Sequence, residues 1–162
     1  MKKNNTEKVF SKKLLSDFSS SLNLDKRLYK EDIDLSIAYS KALKKIHILS
    51  SNEQKKIEGA LKKIFKEIKN ENFNWKTDLE DIHMNIESRL HDLVGSFAGK
   101  IHTGKSRNDQ IATIERMFVK NTIIELIEKL GNLQKEIVSK ADNCIDIIMP
   151  SYTHLQRAQP VL

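Results

Sequence analysis

Cationic and hydrogen-bonding side chains concentrate between residues 95 and 109 of this 162-residue chain. Lys100, Lys105 and Arg107 are cations, and His102 becomes a fourth when it is protonated. Glycines in the same stretch expose backbone N–H groups. The stretch also leads directly into a predicted long helix, whose N-terminus carries partial positive charge and unpaired N–H groups. These features predict a site for an anion, and a carboxylate or a phosphate fits equally well.

Neutral donors in the same stretch allow a second interpretation. Thr103, Ser106 and Asn108 supply hydroxyl and amide groups. Ser106 or Asn108 is also a preferred residue type for capping the start of a helix while the cations face solvent. The spacing is compatible with an anion site and with a helix cap, and it does not separate the two.

A second polar segment spans residues 151–159 and contains His154. An imidazole changes charge near neutral pH and is the side chain best suited to proton transfer there. Thr153 and Gln156 lie beside it in the sequence and are suited to orienting the imidazole or a substrate. The alternative is a surface histidine in a turn.

Apolar residues at steps of three and four predict helices through most of the chain, and hence an all-α fold. Predicted helices cover Lys26–Ile48, a segment that starts at Ser50, a segment that starts near Asp78, and Gln110–Met149. Ser50 and Glu53 have the spacing of a capping box. The segments 95–109 and 151–159 are predicted as loops.

The last of these helices is unusually long. Forty residues at 1.5 Å each give about 60 Å, roughly twice the span of a small domain. Such a helix does not bury its apolar stripe against the preceding residues alone, so we expect a long helical bundle completed by further chain or by other subunits. We therefore predict a small N-terminal helical domain over residues 1–105 and the start of a bundle domain over residues 106–162.

Composition excludes several classes of function. The net charge is +6, but most cations are lysines and no basic stretch is interleaved with aromatic residues, which argues against nucleic acid as a partner. Cys144 is the single cysteine, and the histidines His83, His91 and His102 lack zinc-ligand spacing, so we expect no metal site. Without a membrane-length apolar run or an export signal, a cytoplasmic protein is expected.

Three strings in the chain together resemble the argininosuccinate lyase family, within the fumarase–aspartase superfamily. They are EDIHMNIE at residues 80–87, GKIHTGKSRNDQ at residues 99–110 and YTHLQRAQP at residues 152–160. The resemblance covers the N-terminal third of such a lyase. The apolar ending at residues 160–162 is consistent with truncation, and the family's downstream serine loop is absent.

The resemblance implies reversible elimination of argininosuccinate to arginine and fumarate, without metal or organic cofactor, by a homotetramer built around long helices. It assigns the acid/base role to His154. The residues that it places at the substrate are Ser21, Ser106, Arg107, Asn108 and Thr153, and it adds His83, His102 and Gln156 as further candidates.

The chain departs from the family at Lys8–Ser11, where a usual aromatic and glycine motif is missing. An N-terminal third of a lyase is expected to be inactive alone. Two alternatives stay open for the whole protein. One is a non-catalytic relative of the delta-crystallin kind, and the other is a sister lyase that acts on adenylosuccinate, malate or aspartate.

Overall fold

The computed structural model describes Leu14 and residues 18–162, and these residues are predominantly helical. The departure at Lys8–Ser11 lies outside them. The elements in chain order are α1 Leu22–Asp25, a 3-10 helix Lys26–Leu28, α2 Tyr29–Lys45, α3 Ser51–Lys69, α4 Ile82–Val94, a second 3-10 helix Ser96–His102, α5 Arg107–Asp142, β1 Met149–Thr153 and β2 Gln156–Val161. The predicted fold class is confirmed, with one small sheet added at the end.

Helix α3 begins with the capping box that the sequence predicts. The Ser50 hydroxyl accepts a hydrogen bond from the Glu53 backbone N–H at 3.2 Å, and the Glu53 carboxylate accepts one from the Ser50 N–H at 2.8 Å. A second carboxylate oxygen of Glu53 accepts from Lys100 Nζ at 2.6 Å. The start of α3 is therefore attached to the second 3-10 helix, 47 residues further along the chain.

One apolar core holds the helices of the first part of the chain together. Helix α3 packs against α2 and α4, and the second 3-10 helix packs against α2 and α4 as well. The core side chains come from every one of these elements, and the largest that are almost fully buried are Ile33, Leu43, Leu49, Ile57, Leu61, Ile64, Ile82 and Leu90. The second 3-10 helix, which precedes α5, is thereby held against both α2 and α4.

Helix α5 has 36 residues, and it starts and ends earlier than predicted. The residue before a proline avoids the helical region, and the proline ring clashes with the carbonyl four residues earlier. Pro150 therefore disfavours helix over residues 146–149, and turns at Asn143, Cys144 and Ile147 follow the end of the helix at Asp142. No helix among the described residues is long and apolar enough to cross a membrane.

The apolar stripe of α5 is open beyond its first turns. Gln110 and Ile114 are its buried residues. The exposed large apolar side chains further along, each at least half exposed, are Val119, Ile123, Ile124, Leu126, Ile127, Leu130, Leu133, Ile137 and Val138. These exposed side chains form the apolar stripe that the sequence predicts along this helix.

The prediction of a loop over residues 151–159 is wrong. The segment forms an antiparallel hairpin in which Thr153 pairs with Gln156 and Pro150 pairs with Pro160, with an irregularity at Ser151. His154 and Leu155 form the two-residue turn, at φ of 49° and 61°. Two positive φ values are what a tight hairpin requires, and Asn-Gly is the usual sequence there. His-Leu carries no such signal.

The prediction of a loop over residues 95–109 is wrong in part, because Ser96–His102 form a 3-10 helix. By internal contacts the chain divides into two compact units, Met1–Phe118 and Val119–Leu162, and the division falls inside α5. The predicted domain boundary after residue 105 is not tested by this division and stays a prediction.

Replacing Glu53 by Gln should make the chain less stable in a pH-dependent way. The hydrogen bond from Lys100 and those from Ser50 lower the pKa of Glu53 from 4.5 to about 2. A depressed folded-state pKa contributes stability above pH 4.5, and that contribution is lost as the pH falls towards 2. Urea unfolding at neutral pH should show the largest gap between the two proteins, and the gap should close in acid.

Glu71→Gln, at an exposed carboxylate in the turn after α3, is the matched control and should have the stability of the wild type at neutral pH. A gap between wild type and Glu53→Gln that stays constant from neutral pH to strong acid would show that the Lys100 contact does not stabilise the fold.

Candidate active site

The start of α5 is capped by Ser106. Its hydroxyl accepts a hydrogen bond from the Asn108 backbone N–H at 3.2 Å, and its carbonyl accepts from the Gln110 N–H. The cap interpretation of the sequence is therefore correct for Ser106. The Asn108 side chain is exposed. The cap does not exclude the predicted anion site, because it uses one N–H and leaves the exposed amide of Asn108 at the positive end of the helix.

Arg107 lies between acidic groups without being fully neutralised by them. Its Nε is 4.0 Å from a carboxylate oxygen of Asp81, and its Nη2 is 4.0 Å from one of Glu87. Both distances are beyond hydrogen-bond range. The Nη1 group donates to Gln110 Oε1 at 3.4 Å. The half-buried guanidinium is thus oriented, while most of its five N–H donors stay unused by these neighbours.

Ser21 lies next to the same acidic turn. Its backbone N–H donates to the Glu80 carbonyl at 3.1 Å, and its hydroxyl donates to the Asp25 carboxylate. Asp81 follows directly and caps α4 by accepting from the Met84 N–H at 2.7 Å. The turn before α4 therefore has Ser21 bonded to it and Arg107 facing it.

His102 is half-buried in the same region. Its Nε2 is 3.0 Å from Glu87 Oε1 but is not aligned for a hydrogen bond, so this buried nitrogen has no hydrogen-bond partner among the described residues. Burial lowers the pKa of His102 below 6.5, an effect that the Glu87 carboxylate opposes and the cations Lys105 and Arg107 reinforce. A neutral imidazole at neutral pH follows.

Lys105 completes the cationic group. Its ammonium lies 5.3 Å from the ring centre of Tyr39, whose hydroxyl donates to the Thr103 carbonyl at 2.6 Å. Burial is the largest cause that lowers the pKa of Lys105, with Arg107 adding to it and the Asp32 and Glu87 carboxylates opposing it. Tyr39 thus contacts the segment before α5 twice, through its ring at Lys105 and through its hydroxyl at Thr103.

His83 is buried in a polar network beneath the start of α5. Its Nδ1 is 3.2 Å from Asp32 Oδ1 and 3.3 Å from Gln110 Nε2. Gln110 Nε2 also donates to Asp32 Oδ1 at 2.5 Å. All three side chains are at most 5% exposed. His83 is therefore close to the predicted site but beneath its surface.

The remaining predicted residues lie on the hairpin of the second compact unit. Thr153, His154 and Gln156 are exposed, and the first and last of them pair across the turn. His154 sits at the tip with a positive φ. The structure thus groups the predicted residues as Ser21, His83, His102, Ser106, Arg107 and Asn108 in the first unit and Thr153, His154 and Gln156 in the second.

Sequence reasoning missed the acidic and neutral partners of these groups, namely Asp32, Glu87 and the side chain of Gln110. One signal for Asp32 was present. Asp32, Ser36 and Ser40 recur at four-residue steps on α2 and are all buried, so a polar stripe runs along a core face of this helix. Among the described residues no cluster of three or more His, Cys, Asp or Glu has the arrangement of a metal site.

A helical unit that ends in a cation-rich helix start, followed by a long helix with an uncovered apolar stripe, is the arrangement expected of a lyase built around a helical bundle. Residues 6–162 match the family described as Lyase, and the chain belongs to that family.

The chain is similar to curated argininosuccinate lyases. It is 46% identical to the argininosuccinate lyase of Aquifex aeolicus over 149 residues, which cover 92% of this chain and 33% of that protein. For the argininosuccinate lyase of Sulfurihydrogenibium the identity is 45% over 147 residues, 91% of this chain and 32% of that protein. For the argininosuccinate lyase of Ectopseudomonas mendocina the identity is 46% over 144 residues, which cover 89% of this chain and 31% of that protein. The chain thus spans about a third of the length of these relatives.

Replacing Glu87 by Gln should lower the pKa of His102 further, because the carboxylate opposes the effect of burial. Lys105→Met should raise it, because it removes a neighbouring positive charge. The ring ¹H–¹³C resonances of His102, followed against pH, measure both shifts, with His47 in the turn after α2 as internal reference. An unchanged His102 titration in both variants would contradict this arrangement of charges.

Proposed function

We propose that the complete protein containing this chain is an argininosuccinate lyase. It splits argininosuccinate into arginine and fumarate by elimination and uses no metal or organic cofactor. The observation that carries the proposal is the start of α5, where the half-buried guanidinium of Arg107 and the exposed amide of Asn108 lie at the positive end of a helix. About 45% identity to argininosuccinate lyases over most of the chain supports the choice of substrate.

The chemistry requires a site for a growing negative charge. In this proposal the serine of the family's downstream loop accepts the proton from the carbon beside a carboxylate, and its removal shifts electron density onto that carboxylate in the transition state. A guanidinium and an amide held by a capped helix start are donors that need no rearrangement as the charge grows. In this proposal Arg107, Asn108 and Ser106 hold a substrate carboxylate, and Ser21 binds substrate beside the acidic turn.

The leaving guanidino nitrogen must receive a proton. In this proposal His154 supplies the proton, directly or through a water molecule or another residue. Thr153 beside it binds substrate, and Gln156 pairs with Thr153 across the hairpin. The backbone conformation of His154 supports its proposed role in the active site. A histidine and a leucine with positive φ at a hairpin tip are less favourable than Asn-Gly, and such local strain concentrates at functional sites.

The assembly is part of the same proposal. An apolar stripe at least half exposed along α5 is too large for a lone chain in water and suits the core of a helical bundle. We propose a homotetramer in the cytoplasm in which long helices pack together, with residues 1–105 as the N-terminal domain and residues 106–162 as the start of the bundle. The groups on α5 and on the hairpin then act on one substrate.

The proposal is tested by incubating the complete gene product with argininosuccinate and following fumarate by its absorbance. Turnover is expected. A folded protein with no turnover would contradict the proposal and favour a non-catalytic relative, and turnover with adenylosuccinate alone would favour a sister lyase.

In the complete protein, His154→Asn and Asn108→Leu should each reduce kcat by about 100-fold or more, the usual cost of removing a positioned acid/base or transition-state donor. His47→Asn is a matched control, since His47 is also an exposed histidine with a positive φ of 62°. Its kcat should be that of the wild type. Near-normal kcat values for both site variants would show that these two segments do not belong to the active site.

The 162-residue chain should self-associate at micromolar concentration through the open stripe of α5. Ile127 and Leu130 are 64% and 51% exposed on it, and the double variant Ile127→Glu/Leu130→Glu should reduce the mass measured by light scattering after size exclusion. Lys129→Glu, on the same helix, should leave the mass unchanged. A stable monomer of the unaltered chain would contradict the role of the stripe.

A further inference from the structure

We propose that Asp32 and Gln110 are a positioning pair that sets the direction of the Arg107 guanidinium, an inference that rests on the proposed function. Gln110 lies one helical turn after Arg107, so its side chain shares a side of α5 with it. Its amide nitrogen donates to Asp32 Oδ1 at 2.5 Å, and its amide oxygen accepts from Arg107 Nη1 at 3.4 Å. One amide therefore links a core carboxylate to a substrate-facing cation.

The direction of the Gln110 amide is set by charge. Asp32 is 1% exposed, and a buried carboxylate needs hydrogen-bond donors. Turning the amide by 180° would place Gln110 Oε1 against the carboxylate and the amide nitrogen against the guanidinium, so both contacts would become repulsive. Because only one direction satisfies both neighbours, the oxygen of Gln110 always faces Arg107.

Arg107 needs such a fixed acceptor. A carboxylate oxygen of Asp81 lies 4.0 Å from its Nε, and one of Glu87 lies 4.0 Å from its Nη2. Neither carboxylate therefore holds the guanidinium by a direct hydrogen bond. Without Gln110 the guanidinium is free to turn and form a close ion pair with either carboxylate. A close pair would use the forked donors that a substrate carboxylate requires. Gln110 thus keeps Arg107 available for the substrate, and Asp32 keeps Gln110 in place.

His83 is the third member of the network. Its Nδ1 lies 3.2 Å from Asp32 Oδ1 and 3.3 Å from Gln110 Nε2. When Nδ1 carries a proton it donates to Asp32, and when it carries none it accepts from Gln110. In both protonation states of Nδ1 the Gln110 amide nitrogen stays on the side of Asp32. This explains why a histidine in a matched string lies beneath the site and not at its surface.

The variant Gln110→Met tests the pair in the complete enzyme, because methionine keeps the length and volume of glutamine and removes the amide. The KM for argininosuccinate should rise about 10-fold, the loss of one charge-assisted hydrogen bond, and kcat should fall by a smaller factor, because the same guanidinium stabilises the charge that grows in the transition state. Gln54→Met is the matched control. Gln54 is 5% exposed and hydrogen-bonded to Glu58 and Ser40, so its loss disturbs the same core without touching Arg107.

A double-mutant cycle separates positioning from simple packing. In an Arg107→Lys background, Gln110→Met should leave KM unchanged, because the group that it orients is gone. The pair is refuted if KM is unaffected by Gln110→Met, if Gln54→Met raises it equally, or if the effects of the two substitutions multiply. Should the unpaired Asp32 carboxylate prevent Gln110→Met from folding, Asp32→Asn/Gln110→Met removes that charge and is subject to the same criteria.

A readout without turnover distinguishes failure of this inference from failure of the proposed function. Rotation of the Arg107 guanidinium about its Nε–Cζ bond, measured by ¹⁵N NMR on the 162-residue chain, should become faster in Gln110→Met and not in Gln54→Met. Unchanged rotation in Gln110→Met refutes the pair whether or not the complete protein turns over argininosuccinate. If rotation is faster in Gln110→Met but the complete wild-type protein has no turnover, only the proposed function is refuted.

Discussion

The buried carboxylate of Asp32 is the constraint on which the candidate site depends. A carboxylate removed from water is stable only where donors replace its hydration, and here they come from Gln110 on α5 and, when its Nδ1 is protonated, from His83 on α4. Asp32 itself is on α2. One side chain thus fixes three helices relative to each other at the point where α5 begins. The apolar core holds α2 and α4 in place, and Asp32 sets the start of α5 against them.

The electrostatics of the site follow from this geometry. Arg107, Lys105 and His102 share a small region with Glu87, and burial disfavours the charged forms of Lys105 and His102. Arg107 keeps its positive charge at any physiological pH, since a guanidinium is not deprotonated there. Its acidic neighbours at 4.0 Å lower the cost of burying it without occupying its donors. In the proposed function, a substrate carboxylate accepts hydrogen bonds from the donors of Arg107 that these neighbours leave unused.

Sequence patterns predicted the local features well and the long-range polar contacts poorly. The capping box at Ser50 and the uncovered stripe of α5 follow from residue spacing within one helix. The hairpin does not, because its turn is made by His154 and Leu155 in a conformation that neither residue favours. Asp32 was missed because its partners lie 51 and 78 residues away, and no local rule connects them.

The central claim is that the start of α5 and the tip of the hairpin act on the same substrate. A crystal structure of the complete protein with fumarate and arginine bound tests it most directly. We expect a fumarate carboxylate within hydrogen-bond distance of Arg107 or Asn108, with a His154 imidazole, from the same or another subunit, facing the guanidino group of the bound arginine. Ligands that contact neither group, in protein that is active in solution, would contradict it.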